Sequence, residues 1–210
     1  MGLFDEADFV NYILWSAERD DRALNCPMLQ YVFVDEVQDL SPAVIVLLTK
    51  IKDGSIKYAG DTAQTISQGV NFKFRMLKQV QELQRIQDLP TNYRSTKQIL
   101  RLANAIVHAI VELFPGMIEK SKPETSPNTG PAPLIVGSEE ALIQVLNKKT
   151  SDESEEEEIE FNYNQAILVR DEATVEALRS HKHFSNAIVT TILEAKGMEY
   201  EEVVVWNFFS

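Results

Sequence analysis

The chain has 210 residues, of which 44% are hydrophobic, and its formal net charge at pH 7 is −12. This length and apolar content suffice for the core of one large or two small globular domains. The negative charge argues against nucleic-acid binding through the overall charge of the protein. Binding through a local basic groove stays compatible with it. The single cysteine, Cys26, excludes an internal disulfide and a cysteine-based metal site.

Membrane and export signals are also missing from the sequence. No apolar run has the length of a membrane span, and the first residues show no signal-peptide pattern. The sequence therefore predicts an intracellular protein, nuclear or cytoplasmic, with no membrane partner.

The first 89 residues predict alternating helices and strands. Ser41 and Pro42 predict a helix start, because serine caps helices and proline suits the first helical position. A short apolar run over 31–34 predicts a strand that is buried on both faces. The full set is helices over 4–17, 42–51 and 74–83 and strands over 31–34, 55–60 and 85–89. This alternation is typical of a parallel sheet covered by helices.

A second α/β unit is predicted after Pro90. Ser95 can cap a long helix over 96–114, and four prolines within 123–133 predict a loop. The acidic segment 148–160 is predicted to be a disordered insert. Further strands are predicted over 134–136, 166–169, 187–192 and 203–208, and further helices over 139–147 and 172–180. The domain prediction is a first unit over 1–88 and a second over 89–210.

Two adjacent carboxylates, Asp35 and Glu36, follow the first predicted strand. Ligands of open parallel sheets bind beyond the carboxyl ends of the strands. Adjacent carboxylates can divide two tasks there, because one can hold Mg²⁺ while the other polarises an attacking water. Taken alone, the pair is better explained by an acidic, solvated turn. Gln38, Asp39 and the motifs downstream favour the chemical interpretation.

Four motifs occur in order along the chain: VDEVQD (34–39), AGDTAQTI (59–66), NYRS (92–95) and TILEAKGMEYEEVV (191–204). Together they resemble motifs II, III, IV and V of the UvrD/Rep-like branch of superfamily 1 helicases. The amino-acid sequences GDTAQTI, NYRST and AKGMEY are most similar to the helicase-like module of large proteins with TPR and ankyrin repeats. The resemblance spans nearly the whole chain, roughly residues 28–208.

The resemblance implies a fold and an activity. The fold is α/β, with two RecA-like parallel-sheet lobes of a P-loop NTPase helicase, both incomplete in this chain. Members of the family hydrolyse ATP with Mg²⁺ between the lobes and move along single-stranded DNA, so the implied cofactors are ATP and Mg²⁺. The implied partners are single-stranded DNA, with RNA as an alternative, and the remainder of a larger chain.

In the first lobe the resemblance assigns four residues to the nucleotide. Asp35 would hold Mg²⁺, and Glu36 would orient or deprotonate the attacking water. Gln38 would lie at the same interface, and Gln64 would touch the γ-phosphate or its water. Asp61, in the second of the four motifs, could equally be a turn residue.

In the second lobe the resemblance assigns Tyr93 to stacking on adenine and Arg94 to the γ-phosphate, which a guanidinium fork suits. Taken alone, Tyr93 would be better explained as a tyrosine of the lobe core, and Arg94 as an arginine that caps a neighbouring turn. The implied roles further along are close backbone approach at Gly197, a ribose contact for Glu199, and nucleic-acid or lobe contacts for Thr191 and Lys196. A solvated surface role is nearly as probable for Lys196.

The chain departs from the family pattern at several places. It has no G-x-x-x-x-G-K-[ST] phosphate loop and no final motif with a second arginine. Leu193 stands where the family usually has histidine, and Ser67 where it often has an aromatic residue. The first hypothesis is thus the central part of an ATP-dependent DNA helicase or translocase. The second is a catalytically inactive helicase-like scaffold or regulatory module, and this chain alone is expected to show no turnover.

Overall fold

The computed structural model describes residues 5–20, 27–65, 72–82, 86–119, 121–150 and 165–207. The chain divides into two compact units, Met1–Pro133 and Leu134–Ser210. Each unit contains a small parallel sheet with helices, which confirms the predicted α/β class at this level.

The first unit contains a β-α-β element. Strands β1 (Leu29–Val34) and β2 (Lys52–Tyr58) pair in parallel, with Val34 opposite Tyr58. The connecting helix α2 spans Pro42–Lys50. The other helices of this unit are α1 (Glu6–Arg19), α3 (Phe74–Val80) and α4 (Lys97–Leu113).

Local sequence signals explain where the first two helices begin. The Ser41 side chain accepts a hydrogen bond from the Val44 amide, and Pro42 is the first residue of α2, as predicted. Helix α1 begins with a capping box, in which Asp5 and Asp8 each accept from the other's amide.

The core of the first unit lies on one face of its sheet. It is formed by Val34, Val37, Ile45, Phe72 and Leu77. The prediction that β1 is buried on both faces is wrong, because Tyr31 is 69% and Phe33 74% exposed. Side chains alternate across a strand, and among the described residues this core covers only one face of β1.

Tyr58 packs against this core, but its hydroxyl oxygen has no hydrogen-bond partner among the described residues. Burial raises the pKa of the Tyr58 hydroxyl. We expect Tyr58→Phe to raise the free energy of unfolding by about 1 kcal/mol, because it removes a buried polar group without removing a hydrogen bond. Urea unfolding of both proteins measures this difference. A loss of more than about 1 kcal/mol would show that the hydroxyl makes a stabilising bond.

The second unit contains a three-stranded parallel sheet in the order β4-β3-β5. Its strands are β3 (Gln165–Val169), β4 (Ile188–Thr191) and β5 (Glu202–Val205). Its helices are α5 (Glu139–Thr150), α6 (Glu172–Arg179) and the short α7 (Ile192–Ala195). The central strand β3 supplies the fully buried Ile167 and Val169, which pack with Val175, Phe184 and Val189.

Two predicted strands do not form among the described residues. Residues 86–89 and 134–136 form no strand ladder, and Leu89 and Ile135 are 80% and 96% exposed. Apolar composition favours an extended chain, but a strand also needs a neighbour to pair with. Residue 85 lies outside the described residues, as do 151–160 of the predicted insert and 208 of the last predicted strand. Residues 148–150 belong to α5.

The start of α4 also differs from the prediction. Thr96, and not Ser95, is the N-cap residue, and it makes no side-chain cap hydrogen bond. Ser95 instead donates its amide to the side chain of Asn92.

The compact units divide after Pro133, whereas the predicted lobes meet near residue 88. Hydrogen bonds tie part of the intervening chain to the first unit. The Glu119 amide donates to the Thr62 hydroxyl at 3.0 Å, and the Phe74 amide donates to the Glu119 carboxylate at 2.7 Å. The boundary between lobes stays a prediction about a larger assembly. Among the described residues no helix has the length and hydropathy of a membrane span.

Candidate functional site

The carboxylates Asp35 and Glu36 lie directly after β1. Glu36 has a φ of 50°, in the left-handed region that is uncommon for residues other than glycine. The Asp35 carboxylate accepts a hydrogen bond from the Glu36 amide at 2.9 Å. A short 3₁₀ turn, Val37–Asp39, follows. Backbone strain of this kind is concentrated at functional sites, where the surroundings hold it in place.

The end of β2 lies beside the end of β1. The Ala59 amide donates to the Val34 carbonyl at 2.8 Å, and the Val37 amide donates to the Ala59 carbonyl at 3.0 Å. These bonds continue the ladder past the two strands. The structure therefore brings the VDEVQD and AGDTAQTI segments to the same edge of the sheet, where ligands of parallel sheets bind.

Asp61 organises the loop that carries Gln64. One of its carboxylate oxygens accepts from the Ala63 amide at 2.9 Å, and the other accepts from the Gln64 side-chain amide at 2.8 Å. Asp61 is therefore a turn residue in this structure, a role that the sequence left open. Its contact sets the direction of the Gln64 side chain.

Gln38 joins the two motifs from inside the protein. Its side chain is fully buried. Its amide nitrogen donates to the Glu36 carboxylate, and its amide oxygen accepts from the Asp61 backbone amide at 3.0 Å. The predicted nucleotide contact for Gln38 is not what these bonds provide, because both polar groups of the side chain are directed at protein partners.

Thr62 and Glu119 contribute to the same loop and were missed by the sequence analysis. Thr62 is 7% exposed and accepts from the Glu119 amide, while the Glu119 carboxylate accepts from the first amide of α3. No motif or periodicity marks Glu119, since its role depends on a contact 57 residues away in sequence.

Carboxylates at this edge suit a magnesium ion held together with phosphates. Among the described residues no group of three or more His, Cys, Asp or Glu side chains could hold a metal ion by itself. Mg²⁺ in nucleotide sites is commonly bound through one or two carboxylates plus phosphate oxygens, so Asp35 and Glu36 match the chemistry of that donor set.

The NYRS motif forms a tight turn held by Asn92. The Asn92 side-chain oxygen accepts from the Arg94 and Ser95 amides at 2.9 and 2.8 Å, and its nitrogen donates to the Glu124 carboxylate at 2.7 Å. The alternative of a core tyrosine does not hold, because Tyr93 is 76% exposed. The turn therefore presents Tyr93 and Arg94 outward from a fixed backbone.

A second layer of side chains holds this turn, and the sequence analysis missed it. Asn104 of α4 exchanges two hydrogen bonds with the Glu124 backbone, at 2.9 and 3.1 Å. Asn128 donates to the Tyr93 carbonyl at 2.6 Å. Asparagines in loops and at helix edges are too common for sequence alone to single these out.

The four remaining candidates, Thr191, Lys196, Gly197 and Glu199, belong to the second unit. Gly197 has a φ of 82°, and a Cβ there would meet no described atom within 4 Å. Its glycine is therefore explained by the backbone angle rather than by close approach within the protein. Lys196 is half-buried and Glu199 is exposed. Their predicted nucleotide and nucleic-acid roles stay predictions.

Thr191 is 6% exposed and caps helix α7. Its hydroxyl accepts from the Glu194 amide at 3.3 Å, and the Glu194 carboxylate accepts from the Thr191 amide at 3.4 Å. The Thr190 hydroxyl, together with the Thr191 amide, lowers the pKa of the Glu194 carboxyl. The T-x-x-E spacing is a capping-box signal that the sequence analysis did not use.

Fold and site together define an α/β protein with paired carboxylates and an ordered polar loop at one edge of a parallel sheet. No family model matches the sequence. The chain is similar to the human protein TPR and ankyrin repeat-containing protein 1, with 32% identity over 231 aligned residues. The alignment covers the whole chain but only 8% of that relative, so the chain spans a small part of its length.

Proposed function

We propose that this chain is the central part of an ATP-dependent DNA helicase or translocase of the UvrD/Rep-like kind, built from two RecA-like lobes. The observation that carries the proposal is the junction of β1 and β2. There the carboxylates Asp35 and Glu36 and the loop of Gln64 meet at the carboxyl ends of two neighbouring parallel strands.

The chemistry of phosphoryl transfer gives each of these groups a task. In this proposal Asp35 holds Mg²⁺, which neutralises phosphate charge when it is bound. Glu36 orients or deprotonates the attacking water, and Gln64 contacts the γ-phosphate or that water. The bonds that Gln38 donates to Glu36 and that Gln64 donates to Asp61 support these roles, because they fix the direction of the Glu36 and Gln64 side chains.

The remaining predicted residues complete the proposal. Tyr93 stacks on adenine and Arg94 binds the γ-phosphate, and the outward direction of Tyr93 on a braced turn supports such a role. Gly197 and Glu199 approach the ribose, and Lys196 contacts single-stranded DNA or RNA. Thr191 supports this nucleic-acid contact through the turn that it caps, since its hydroxyl accepts a hydrogen bond from the first turn of α7.

A second function is a catalytically inactive, helicase-like scaffold or regulatory module of a larger protein. Two observations favour it. Leu193 and Ser67 depart from the family pattern, and the human relative is a much longer protein named for repeats. The two functions differ in whether the Asp35–Glu36 edge binds a metal–nucleotide complex.

Binding of ATP with Mn²⁺, a paramagnetic substitute for Mg²⁺, tests the proposal in this chain. We expect Mn²⁺ with millimolar ATP to broaden the amide NMR signals of 35–38 and 61–64 selectively. Asp35→Asn should weaken this binding by at least about tenfold, because it removes a charged ligand. In any longer natural form that hydrolyses ATP, Glu36→Gln should lower the rate by about 10²–10⁴-fold.

Asp53→Asn is the matched control, since Asp53 is an exposed carboxylate in β2 of the same unit. This variant should bind as the unchanged chain does. Equal binding by Asp35→Asn and Asp53→Asn would refute the metal role. Absence of any selective broadening would favour the scaffold.

A further inference from the structure

We propose that Gln38 is a positioning residue that joins Glu36 and the Asp61–Gln64 loop into one rigid element, so that both predicted nucleotide-contacting groups move together. The two hydrogen bonds of the Gln38 side chain, to Glu36 and from Asp61, are called the joint below. The functional consequence of the joint rests on the proposed function, whereas the joint itself does not. It also reassigns Gln38, which the motif alone suggested as a nucleotide contact.

The two neighbours of Gln38 determine the orientation of its side-chain amide. A backbone N–H, that of Asp61, can only donate, so it must face the amide oxygen. The ionised carboxylate of Glu36 can only accept, so it must face the amide nitrogen. No other side chain of similar shape offers one acceptor and one donor in this arrangement at neutral pH.

Burial protects both hydrogen bonds of the joint from replacement by water. Gln38 is fully buried, so water cannot replace either partner without opening the structure. Loss of one bond leaves a buried polar group unsatisfied, which costs more than the bond itself contributes. A change that removes either bond is therefore expected to loosen the contact at both ends.

Gly60 supports the same interpretation from the other strand. A Cβ at this position would overlap the Gln38 amide oxygen and would lie 3.0 Å from Val37 Cγ1. The backbone that leads into Asp61 thus packs directly on the Gln38 side chain. A glycine before Asp61 permits this close approach without displacing the Gln38 amide.

The consequence is coupling within the proposed site. Glu36 is held at one end of the Gln38 amide, and Asp61, which holds Gln64, is bonded at the other end. A ligand that displaces Gln64 would therefore act on Glu36 through three short, directed contacts. Bistable or rigid connections of this kind carry coupling between groups that do not touch.

Gln38→Glu tests the joint, because its effect depends on pH. At neutral pH the new carboxylate would face the carboxylate of Glu36 and lose the donated bond. When protonated, it again has one donor and one acceptor, as glutamine does. Burial and the neighbouring carboxylate raise the pKa of the new group above the about 4.3 of a free glutamate. Stability is thus retained at low pH and lost as pH rises through the raised pKa.

The measurement is amide hydrogen exchange at Asp61, with Ile56 of β2 as an internal reference for opening of the whole unit. At pH 7.5 we expect Gln38→Glu to lower the protection factor of Asp61 by at least tenfold more than that of Ile56. At pH 5 the difference should shrink markedly. Gln79→Glu, an exposed position on α3, should change neither amide.

Equal loss of protection at Asp61 and Ile56 would overturn the proposal, because it would make Gln38 an ordinary core residue. Unchanged protection at Asp61 would also overturn it. The exchange experiment needs no nucleotide, so its outcome is independent of the proposed function. Failure of ATP with Mn²⁺ to bind would refute that function and leave the joint to be decided by exchange.

Discussion

Phe184→Ala is expected to lower the free energy of unfolding of the second unit by about 3–5 kcal/mol, the usual cost of truncating a buried aromatic residue. Phe184 is fully buried in the core with Ile167, Val175 and Val189. Its ring packs edge-on against Trp206 at 5.3 Å and stacks on His181 at 5.1 Å. Removal of the ring leaves a cavity between β3, α6 and β4. These three elements would have to move together to fill it.

The position of Phe184 in the chain adds to the expected loss of stability. Phe184 lies in the turn between α6 and β4, where its amide donates to the His181 carbonyl and its carbonyl accepts from the Ala187 amide. The ring therefore anchors the segment of chain that joins that helix to β4. Trp206 fluorescence during urea unfolding, in a Trp15→Phe background, reports on the second unit alone.

Leu193→Ala is the control for this prediction, because Leu193 is 66% exposed on α7 of the same unit. Its truncation should change the free energy of unfolding by no more than about 0.5 kcal/mol. A cost below about 1 kcal/mol for Phe184→Ala would mean that the ring is not part of the core described here.

Sequence patterns predicted the elements that local signals define. Ser41 and Pro42 marked the start of α2, and the β1-α2-β2 alternation predicted parallel pairing. The apolar run over 31–34 predicted β1 but not its environment. Periodicity reports that residues are apolar, whereas burial of a second face depends on what else covers the sheet. Exposed Tyr31 and Phe33 show that difference.

Elements that depend on distant partners were not predictable in the same way. Residues 86–89 and 134–136 have strand-like composition but no ladder, since pairing is decided by the rest of the fold. Conversely, the end of α1 lies two residues past the predicted end, which is within the usual imprecision of helix boundaries.

The candidate site was predictable in its position and not in its bonding. Carboxylates after a strand are expected at the ligand-binding edge of a parallel sheet, and Asp35 and Glu36 lie there. The joint through Gln38 crosses 23 residues of sequence, and the Thr62–Glu119 contact crosses 57. Such contacts follow from packing, so no local pattern could have revealed them.

Gly54→Ala is expected to destabilise the first unit by about 2–3 kcal/mol or more, near the upper end of the range for overpacking. A Cβ at Gly54 would overlap the backbone carbonyl oxygen of Gln30 and lie 3.0 Å from its carbonyl carbon. Both atoms belong to the backbone of β1, so no side-chain rotation can make room.

The strand register explains why a glycine stands at this point. Leu29 pairs with Lys52 and Tyr31 with Ser55, so β2 has one more residue than β1 across the interval. An extra residue of this kind bends the bulged strand and brings its backbone close to the neighbour. Alanine would force the strands apart where the register is set.

Amide hydrogen exchange at Val32 and Ile56 measures the effect, because these residues pair in the ladder beyond the bulge. Gly137→Ala, in the second unit, is a control for the substitution itself, since a Cβ there meets no described atom within 4 Å, and it should leave exchange at Val32 and Ile56 unchanged. If Gly54→Ala were equally neutral, the close approach of β2 to Gln30 would be wrong. The same two strands carry Asp35 and Asp61 at their ends, so an error in that register would also move the candidate site.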